Sequence, residues 1–332
     1  LSDYGTLSRG TLVNSRDYED EKDRTRMSLA YNFSGVLPFS DEIQVLAYTQ
    51  DSETVQLTLE NRLPPGPTSV AQNRSRNSIF EQQIDGILVS ARKDIEFGSV
   101  VHRLVYGSEY YSTENKTLRD GGTTEALTGV TVREFFPLPT RDFPVTKVDQ
   151  LAFFVQDEIE LMNGRLILSP GIRYDDFEAK ATADAIYLAG NPGISAPEDF
   201  SDSEVTAKLG VVYEFTSDLS IYGNVSEGFR APPYDDVNVG FTNFIGGYKT
   251  ISNAALESET SIGYEIGTRL RGGWGSVNVA VFKNDYENFI ESLATAPAFA
   301  GSGGIDPADG LLTFQSVNLS EVEIKGLEFS GE

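Results

Sequence analysis

Apolar and polar residues alternate along much of the chain with the period of two that is typical of β-strands. In 165–175, one parity carries Leu166, Ile172 and Tyr174, and the other carries Ser169 and Arg173. The segments 206–215 and 261–270 alternate in the same way. Successive side chains of a strand point to opposite faces. Each segment therefore predicts a strand with one apolar face and one face of small, polar or charged residues.

Two kinds of connection alternate between the predicted strands. Tight polar turns are predicted at 34–41, 94–98, 163–164, 216–218 and 272–275. Long loops rich in Gly, Asp and Pro are predicted at 63–75, 113–146, 182–202, 231–257 and 295–310. This asymmetry is typical of outer-membrane β-barrels, whose short turns face the periplasm and whose long loops face the outside.

The alternation also bears on how the chain meets a membrane. No apolar run approaches the ~18 residues that predict a spanning helix, and the best, 151–155, is far too short. Only helices and closed barrels satisfy every backbone group in lipid. We therefore predict an all-β fold, a transmembrane antiparallel β-barrel with roughly a dozen strands of a 22-stranded barrel. A soluble β-sandwich also alternates, but it lacks the one-sided long loops.

Composition narrows the function classes. The chain has 26 Lys and Arg against 50 Asp and Glu, a formal net charge of −24, and no Cys. Such an acidic balance argues against nucleic acid as a partner, because nucleic-acid binding needs a basic stripe. An acidic run is predicted to be a solvated loop, and binding of a divalent cation or a cationic ligand is the alternative. Its carboxylates are those of Asp17, Glu19, Asp20, Glu21 and Asp23.

The segment 151–175 predicts a β-hairpin, because Asn163-Gly164 favours a type I′ turn between its two strands. Aromatic residues recur near predicted strand ends, where they are expected to form the interfacial girdles of a barrel. These residues are Tyr174, Phe177, Tyr213, Phe215, Tyr222, Phe229 and Tyr286.

Several ordered motifs resemble TonB-dependent receptors. The runs 154–161, 163–166 and 170–175 resemble the mid-barrel signature of that family. Further matches are at 208–210, 219–224, 227–232 and 323–328. The resemblance implies active uptake of an iron complex across the Gram-negative outer membrane. It also implies an N-terminal plug and energy from the TonB coupling complex in the inner membrane.

The resemblance sets the expected organisation and partners. The chain opens on Leu1 without Met and ends soon after a strand pattern. We expect 1–332 to be part of the receptor β-barrel domain, with the plug and the final strands outside it. The expected partners are outer-membrane lipid and lipopolysaccharide, the TonB complex through the plug, and an iron-complex ligand. The barrel is expected to be monomeric.

The family also has paired sequence boxes that flank a ligand-contacting loop in haem and haemoprotein receptors. The matching positions here are Phe229, Arg230, Ala231, Pro232, Asn253, Leu256 and Glu259. The second box departs from the family at Ala254, Glu257 and Ser258. Haem receptors commonly carry a His between the boxes, and this loop has none.

The loop between the boxes supplies the candidate ligand contacts. These are Arg230, Tyr234, Asp235, Asp236, Phe241, Phe244 and Tyr248. Phenolate and carboxylate oxygens suit ferric iron, and Tyr is an axial ligand of haem in some proteins. We expect no resident cofactor and assign no metal site; the transported ligand is haem or a ferric siderophore. The calcium-loop likeness of 301–310 is weak, because the ligand spacing is incomplete.

Other charged residues have weaker claims to a role. Arg173, Arg230 and Arg269 fall on the predicted inner parity, where they either attract an anion or pair with carboxylates. His102, the single histidine, shares the outer parity with Leu104 and is predicted to face lipid. No nucleophile–base pair or phosphate-binding loop is evident, which argues against an enzyme. A passive porin-type channel and a β-rich surface adhesion protein remain the alternatives.

Overall fold

The computed structural model describes residues 6–8, 10–134, 137–191, 196–243 and 246–332. Within these ranges the chain forms one 15-stranded sheet in which sequential long strands pair antiparallel. The long strands are β2 (Thr11–Ser34), β3 (Glu42–Leu63), β4 (Gln72–Phe97), β5 (Val100–Glu125), β7 (Val145–Leu161), β8 (Leu166–Thr182), β9 (Phe200–Glu214), β10 (Leu219–Arg230), β13 (Glu259–Gly272), β14 (Gly275–Thr295) and β15 (Leu312–Gly331). These eleven strands of the described ranges agree with the roughly one dozen expected.

Short elements lie in the connections at one end of the sheet. They are β1 (Thr6–Ser8), β6 (Thr131–Val132), α1 (Ala185–Gly190), α2 (Tyr234–Asn238), β11 (Phe241–Asn243), β12 (Tyr248–Ile251) and a 3-10 helix (Pro297–Ser302). β12 pairs parallel with β15 and continues the sheet there. The opposite end has tight turns only, so the predicted asymmetry is confirmed. Among the described helices, none is long and apolar enough to span a membrane.

The strands carry the two predicted faces. Pairing registers place Ile172, Leu209 and Ile266 on one face, with 49%, 41% and 57% of their surface exposed. Arg173 and Ser169 lie on the other face. A sandwich would bury the apolar face against a second sheet, whereas here the described residues form one sheet. The apolar face is the lipid-facing outside of a membrane barrel, and the polar face is its inside.

Carboxylates lie where the apolar outer face ends, on the side of the long loops. Asp149 and Asp176 lie there on adjacent strands, and each accepts a hydrogen bond from a tyrosine hydroxyl. Tyr110 donates to Asp149 at 2.8 Å and Tyr174 to Asp176 at 3.4 Å. Tyrosine has an apolar ring and a polar tip, so it suits a boundary that is dry on one side and wet on the other.

The first strands are longer than a membrane requires. β4 and β5 have 26 residues each, whereas β10 has 12. A strand rises about 3.4 Å per residue, so 26 tilted residues reach well beyond an apolar band about 25 Å tall. The segments 11–24, 52–63, 72–83 and 113–125 thus stand above the membrane, and we name them the raised wall.

The raised wall corrects two predictions. The acidic run at Asp17 to Asp23 is not a loop, because it lies within β2 and pairs with β3. Strands also extend into two predicted loops, since β4 already begins at Gln72 and β5 continues to Glu125. Wet side chains on both faces of a strand erase the apolar alternation, and the sequence then reads as a loop.

Glycines on the inner face accept aromatic rings from the neighbouring strand. Tyr222 lies over Gly267, where an added Cβ would come within 2.4 Å of the ring. The same arrangement occurs at Tyr48 over Gly86, Phe154 over Gly107 and Phe282 over Gly326. Aromatic rings of this kind cover the backbone that glycine leaves bare.

The predicted girdle is only partly correct. Tyr174, Tyr213, Phe215 and Phe229 share the outer parity. Phe177, Tyr222 and Tyr286 were assigned wrongly, because the registers place them on the inner face. Their positions near strand ends could not distinguish the two faces.

Candidate functional site

The structure brings the two sequence boxes together at the base of the 231–258 loop. Arg230 and Glu259 are cross-strand partners on the inner face, and Arg230 Nη1 donates to Glu259 Oε2 at 3.0 Å. The other oxygen, Oε1, accepts from the backbone N–H of Ile290 at 2.6 Å. Leu256 is buried with Val237 and Ile290, and Pro232 is fully buried. These box residues close the loop.

Helix α2 of this loop is docked on the inner face of β14 and β15. Asp236 accepts from the hydroxyls of Ser292 at 3.0 Å and Ser316 at 2.7 Å. Asn238 is buried, and its side-chain amide exchanges two hydrogen bonds with the backbone of Glu198. The loop therefore folds inward over the concave side of the sheet.

The proposed oxygen donors do not share one metal site in the described residues. Tyr234 packs edge-on against Phe143, with ring centroids 5.2 Å apart, and burial raises the pKa of its hydroxyl. Asp235 is an exposed residue, but the protein around its carboxyl removes part of the hydration of that group and so raises its pKa too. Asp236 uses both oxygens on serines. In the described ranges, no group of three or more His, Asp or Glu side chains is placed to hold a metal ion.

The remaining loop candidates form an aromatic row. Phe241 lies 5.9 Å from Tyr248, which lies 6.2 Å from Phe314 of β15, both measured between ring centroids. The guanidinium of Arg119, on the inner face of β5, sits 4.5 Å above the ring of Phe241. Phe244 lies outside the described residues.

Loops from distant strands meet across the concave side. The 126–144 loop follows β5, and its Asp142 forms an ion pair with Arg119 at 2.9 Å. The carbonyl of Asp142 accepts a hydrogen bond at 2.8 Å from the N–H of Gly240 in the 231–258 loop. Together with the Phe143–Tyr234 contact, these bonds join β5 to α2, which is docked on β14 and β15, although five long strands lie between β5 and β14 in the sheet. We name the joined loops the loop bridge.

A lysine fastens the bridge to the next loop. Lys249 of β12 contacts Asp306 at 2.6 Å and Asp309 at 2.7 Å. Both carboxylates belong to the 301–310 segment that superficially resembles a calcium loop. Because the lysine ammonium already lies between them, the structure gives these aspartates an ion-pairing role within the protein.

The other predicted charged residues are placed as follows. Arg173 pairs with Asp175 at 2.9 Å and reaches Glu109 at 3.5 Å on the inner face. Arg269 lies on the same face and has no ion pair with any described residue. His102 lies on the outer face, as predicted, with Nδ1 at 2.7 Å from Asp157 Oδ2.

Sequence reasoning missed an arginine cluster on the inner face of the raised wall. Glu60 is at its centre, bonded to Arg16 at 2.6 Å and to Arg74. Arg62 follows two residues along β3, and Arg76 two residues along β4. A second carboxylate, Glu134, contacts Arg76 at 2.6 Å. We define the arginine cluster as Arg16, Glu60, Arg62, Arg74, Arg76 and Glu134.

The cluster holds four guanidinium groups and two carboxylates in a chain of net charge −24. The Nε atoms of Arg62 and Arg74 are buried without a hydrogen-bond partner in the described residues. Arg62 makes one long bond, 3.3 Å, to Gln72. Arg74-x-Arg76 is a period-two signal available in the sequence, but Arg74 falls within the predicted 63–75 loop, which hid it.

Comparison with known proteins gives the family. The β-barrel of TonB-dependent receptor-like proteins matches residues 2–332. The ferrienterobactin receptor of Escherichia coli K12 is 23% identical over 353 residues, covering 99% of this chain and 42% of that protein. Hemoglobin-haptoglobin utilization protein B of Neisseria meningitidis serogroup C is 28% identical over 180 residues, covering 51% and 22%. The chain thus spans less than half the length of these relatives.

Solved structures agree in fold. Copper transporter OprC has a TM-score of 0.65 at 14% identity, covering 97% of this chain and 45% of that one. The Serratia marcescens hemophore receptor HasR, in complex with HasA and heme, has a TM-score of 0.60 at 13% identity, covering 97% and 57%. The two faces of the sheet and the one-sided long loops agree with the family match over 2–332. The chain belongs to the TonB-dependent receptor family, as an outer-membrane β-barrel of the Gram-negative type.

Proposed function

We propose that the protein containing this chain takes up an iron complex across the outer membrane, with energy supplied by the TonB complex through a plug. The observation that carries the proposal is the loop bridge across a polar inner face. An apolar outside with a wet inside makes a conduit, and loops joined over its mouth make that conduit gated rather than open.

The relatives support the ligand class. Those matched along the chain are named for ferric enterobactin and for hemoglobin-haptoglobin. Iron complexes are thus the common chemistry, and we extend it to this protein. The box-flanked loop remains the proposed ligand-contacting loop, with Arg230, Tyr234, Asp235, Asp236, Phe241, Phe244 and Tyr248 as candidates. Tyr234 and Phe241 also hold the bridge together, through Phe143 and Arg119, so ligand contact with these two side chains requires the bridge to open.

The proposal also covers the membrane surroundings of the barrel, and it assigns the chain no catalytic reaction. The outer face contacts lipid, and the raised wall stands at the level of lipopolysaccharide. The barrel acts as a monomer, because its outer apolar face is satisfied by lipid. We assign no reaction, since the one histidine is on the outer face, paired with Asp157.

Uptake by a strain that lacks its own iron receptors tests the function. The full-length gene is expressed with haem, haemoglobin or a ferric siderophore as the sole iron source. We expect growth on one of them, and we expect that growth to cease when the TonB gene is deleted. A passive porin-type channel would support growth in both strains. Growth on none of the three sources would contradict the proposal.

A further inference from the structure

The hydrogen-bonded ladder between β9 and β10 ends before either strand does. Its last pair is Ser226 with Lys208, and both strands continue beyond it toward the long loops. In the described ranges, no other pair of neighbouring long strands comes apart at one end while both strands continue. We name this unpaired stretch, 200–207 of β9 beside 227–230 of β10, the split.

The edge of β9 in the split has three backbone N–H groups directed toward β10. The N–H groups of a strand alternate between its two neighbours. Phe215 donates to Leu219 of β10, and Glu214 donates to Arg165 beside β8, so the odd-numbered residues face β10. In the split their acceptors are carboxylates: Asp202 for Ser203 at 2.8 Å, Glu204 for Val205 at 3.0 Å and Glu227 for Ala207 at 2.9 Å.

Hydrogen bonds also close the split at its end toward the long loops. Asp202 Oδ2 accepts from the hydroxyl of Ser258 at 2.5 Å. Asn238 exchanges two hydrogen bonds with the backbone of Glu198. Strand β9 is therefore fastened on both sides of the three N–H groups, by these bonds and by the ladder. The free edge is a built-in part of the sheet, and it is covered only by side chains that can rotate away.

The split lies where the outer face leaves the lipid. Val205 is the cross-strand partner of Tyr174, and Ser203 is the partner of Asp176. Tyr174 and Asp176 are the residues with which the apolar outer face ends on β8. A molecule in the outer medium therefore reaches the split without passing the loop bridge.

A groove beside the split carries uncompensated negative charge. It has a volume of 350 Å³, and its lining includes Glu204, Val205, Glu227, Asp285 and Glu287. Asp285 forms an ion pair with Lys283 at 2.9 Å, whereas the three glutamates form none with a described residue. In the described ranges, no group of three or more His, Asp or Glu side chains is placed to hold a metal ion. The groove therefore suits the cationic side chains of a partner.

We propose that the β9 edge of the split binds an extended segment of another polypeptide that carries lysine or arginine. Such a segment adds as a strand, with main-chain hydrogen bonds for affinity and side-chain contacts for specificity. Its carbonyl groups take over the N–H groups of Ser203, Val205 and Ala207. The carboxylates thus released accept charge-assisted hydrogen bonds from its cationic side chains. This inference goes beyond the proposed function, because the partner is a polypeptide and not an iron complex.

Fluorescence anisotropy with the full-length receptor in detergent tests the site. The probe is a short, capped, labelled peptide in which lysine alternates with valine. Val205→Pro removes one N–H of the free edge, and it keeps the ladder with β8 because that N–H faces away from β8. We expect the loss of this main-chain bond to weaken peptide binding about tenfold. Val205→Thr, which keeps the N–H at a half-exposed position, is the matched control and should bind like wild type.

Charge and pairing are separated by two further measurements. The double variant E204Q/E287Q should weaken peptide binding about threefold to tenfold at low salt, because it removes two exposed charges. That difference should shrink at high salt. A peptide that is N-methylated on the edge facing β9 keeps its lysines but cannot pair, and we expect it to lose most of its affinity. Circular dichroism and heat-modified gel mobility report whether each variant folds.

The outcomes that overturn the site do not depend on iron uptake. Equal binding of the N-methylated and the parent peptide would show that charge alone attracts them, and it would contradict strand addition. No binding of the parent peptide to wild type, or unchanged binding by folded V205P, would also contradict it. Iron-dependent growth of the V205P strain should match wild type, so failure of the split as a docking site is distinguishable from failure of the transport function.

Discussion

The raised wall and the loop bridge lie at the same end of the sheet but are stabilised in different ways. The wall is continuous ladder, with β4 and β5 paired residue by residue from Gln72–Glu125 to Phe97–Val100. The bridge depends on single contacts between loops that are far apart in sequence, such as Gly240 with Asp142. Ladder pairing opens only with the sheet, whereas single contacts open locally. The comparison implies a fixed raised wall beside a movable loop bridge.

The largest expected effect is at the centre of the wall. Glu60→Gln leaves Arg16 and Arg74 without a counter-charge at a side chain that is 2% exposed. Breaking a buried ion pair is strongly destabilising, and with both arginines partly solvated we expect a loss of about 2 kcal/mol in the free energy of unfolding. Urea unfolding of the full-length receptor in detergent measures it.

Glu158→Gln is the matched control, because Glu158 pairs with Arg103 at a well-exposed position. Exposed pairs contribute under ~1 kcal/mol. Equal losses in the two variants would refute the view that the wall is built around Glu60.

The next effect is at the base of the bridge. Glu259→Ala removes the acceptor of the Ile290 N–H and the partner of Arg230, which we expect to cost about 1–2 kcal/mol. The loss should be local: hydrogen exchange should rise in 231–258 and at 290 while the urea midpoint changes little. Glu259→Gln keeps an acceptor for Ile290 and should exchange more slowly than the alanine variant. A global shift as large as that of Glu60→Gln would break the comparison.

A smaller effect is expected where the two loops meet. Phe241→Leu keeps apolar bulk but removes the ring beneath Arg119. Cation–π contacts are worth about 0.5–2 kcal/mol, so exchange in the 126–144 loop should rise several-fold. Phe229→Leu, on the outer face, is the control. No change in the 126–144 loop would mean that the Asp142 bonds and the Phe143–Tyr234 contact hold the bridge without Phe241.

The smallest effects are those of pH, and they have opposite signs at two aspartates. Burial raises the pKa of Asp142 above 3.8 in spite of its ion pair with Arg119, so the stability linked to its protonation is full below that value and is lost as pH rises through the raised pKa. The hydrogen bond from Lys249 lowers the pKa of Asp306 below 3.8, so its contribution is present above that value and is lost as pH falls through the lowered pKa.

Limited proteolysis between pH 3 and 6 separates the two aspartates. Acidification should protect the 126–144 loop, and it should expose the 296–311 loop at the lowest pH. Asp142→Asn should remove the first response, and Asp306→Asn the second. Parallel responses of both loops would contradict these assignments.

The sequence was sufficient where lipid and water alternate side by side. Leu166, Ile172 and Tyr174 predict an outer face because hydrocarbon selects every second residue there. Above the lipid, Glu19 and Asp20 both meet water, so the strand loses its signature and the raised wall was missed. The predicted 63–75 loop likewise concealed Arg74, which lies on β4.

The bridge was beyond prediction for a different reason. Phe143 and Tyr234 meet only because the sheet curves and two loops fold inward, and local sequence does not encode such a contact. Family resemblance identified the boxes as flanking a ligand-contacting loop, and in the structure Glu259 of the second box and Asp236 of the loop are bonded within the protein. Their hydrogen-bond partners, Ile290 and Ser316, carry no sequence signal.

The unequal strand lengths give the mouth an oblique rim. β4 and β5 have more than twice the residues of β10. The raised wall therefore extends farther from the membrane than the opposite rim, and a solute approaching from that side meets the wall before it reaches the mouth of the barrel.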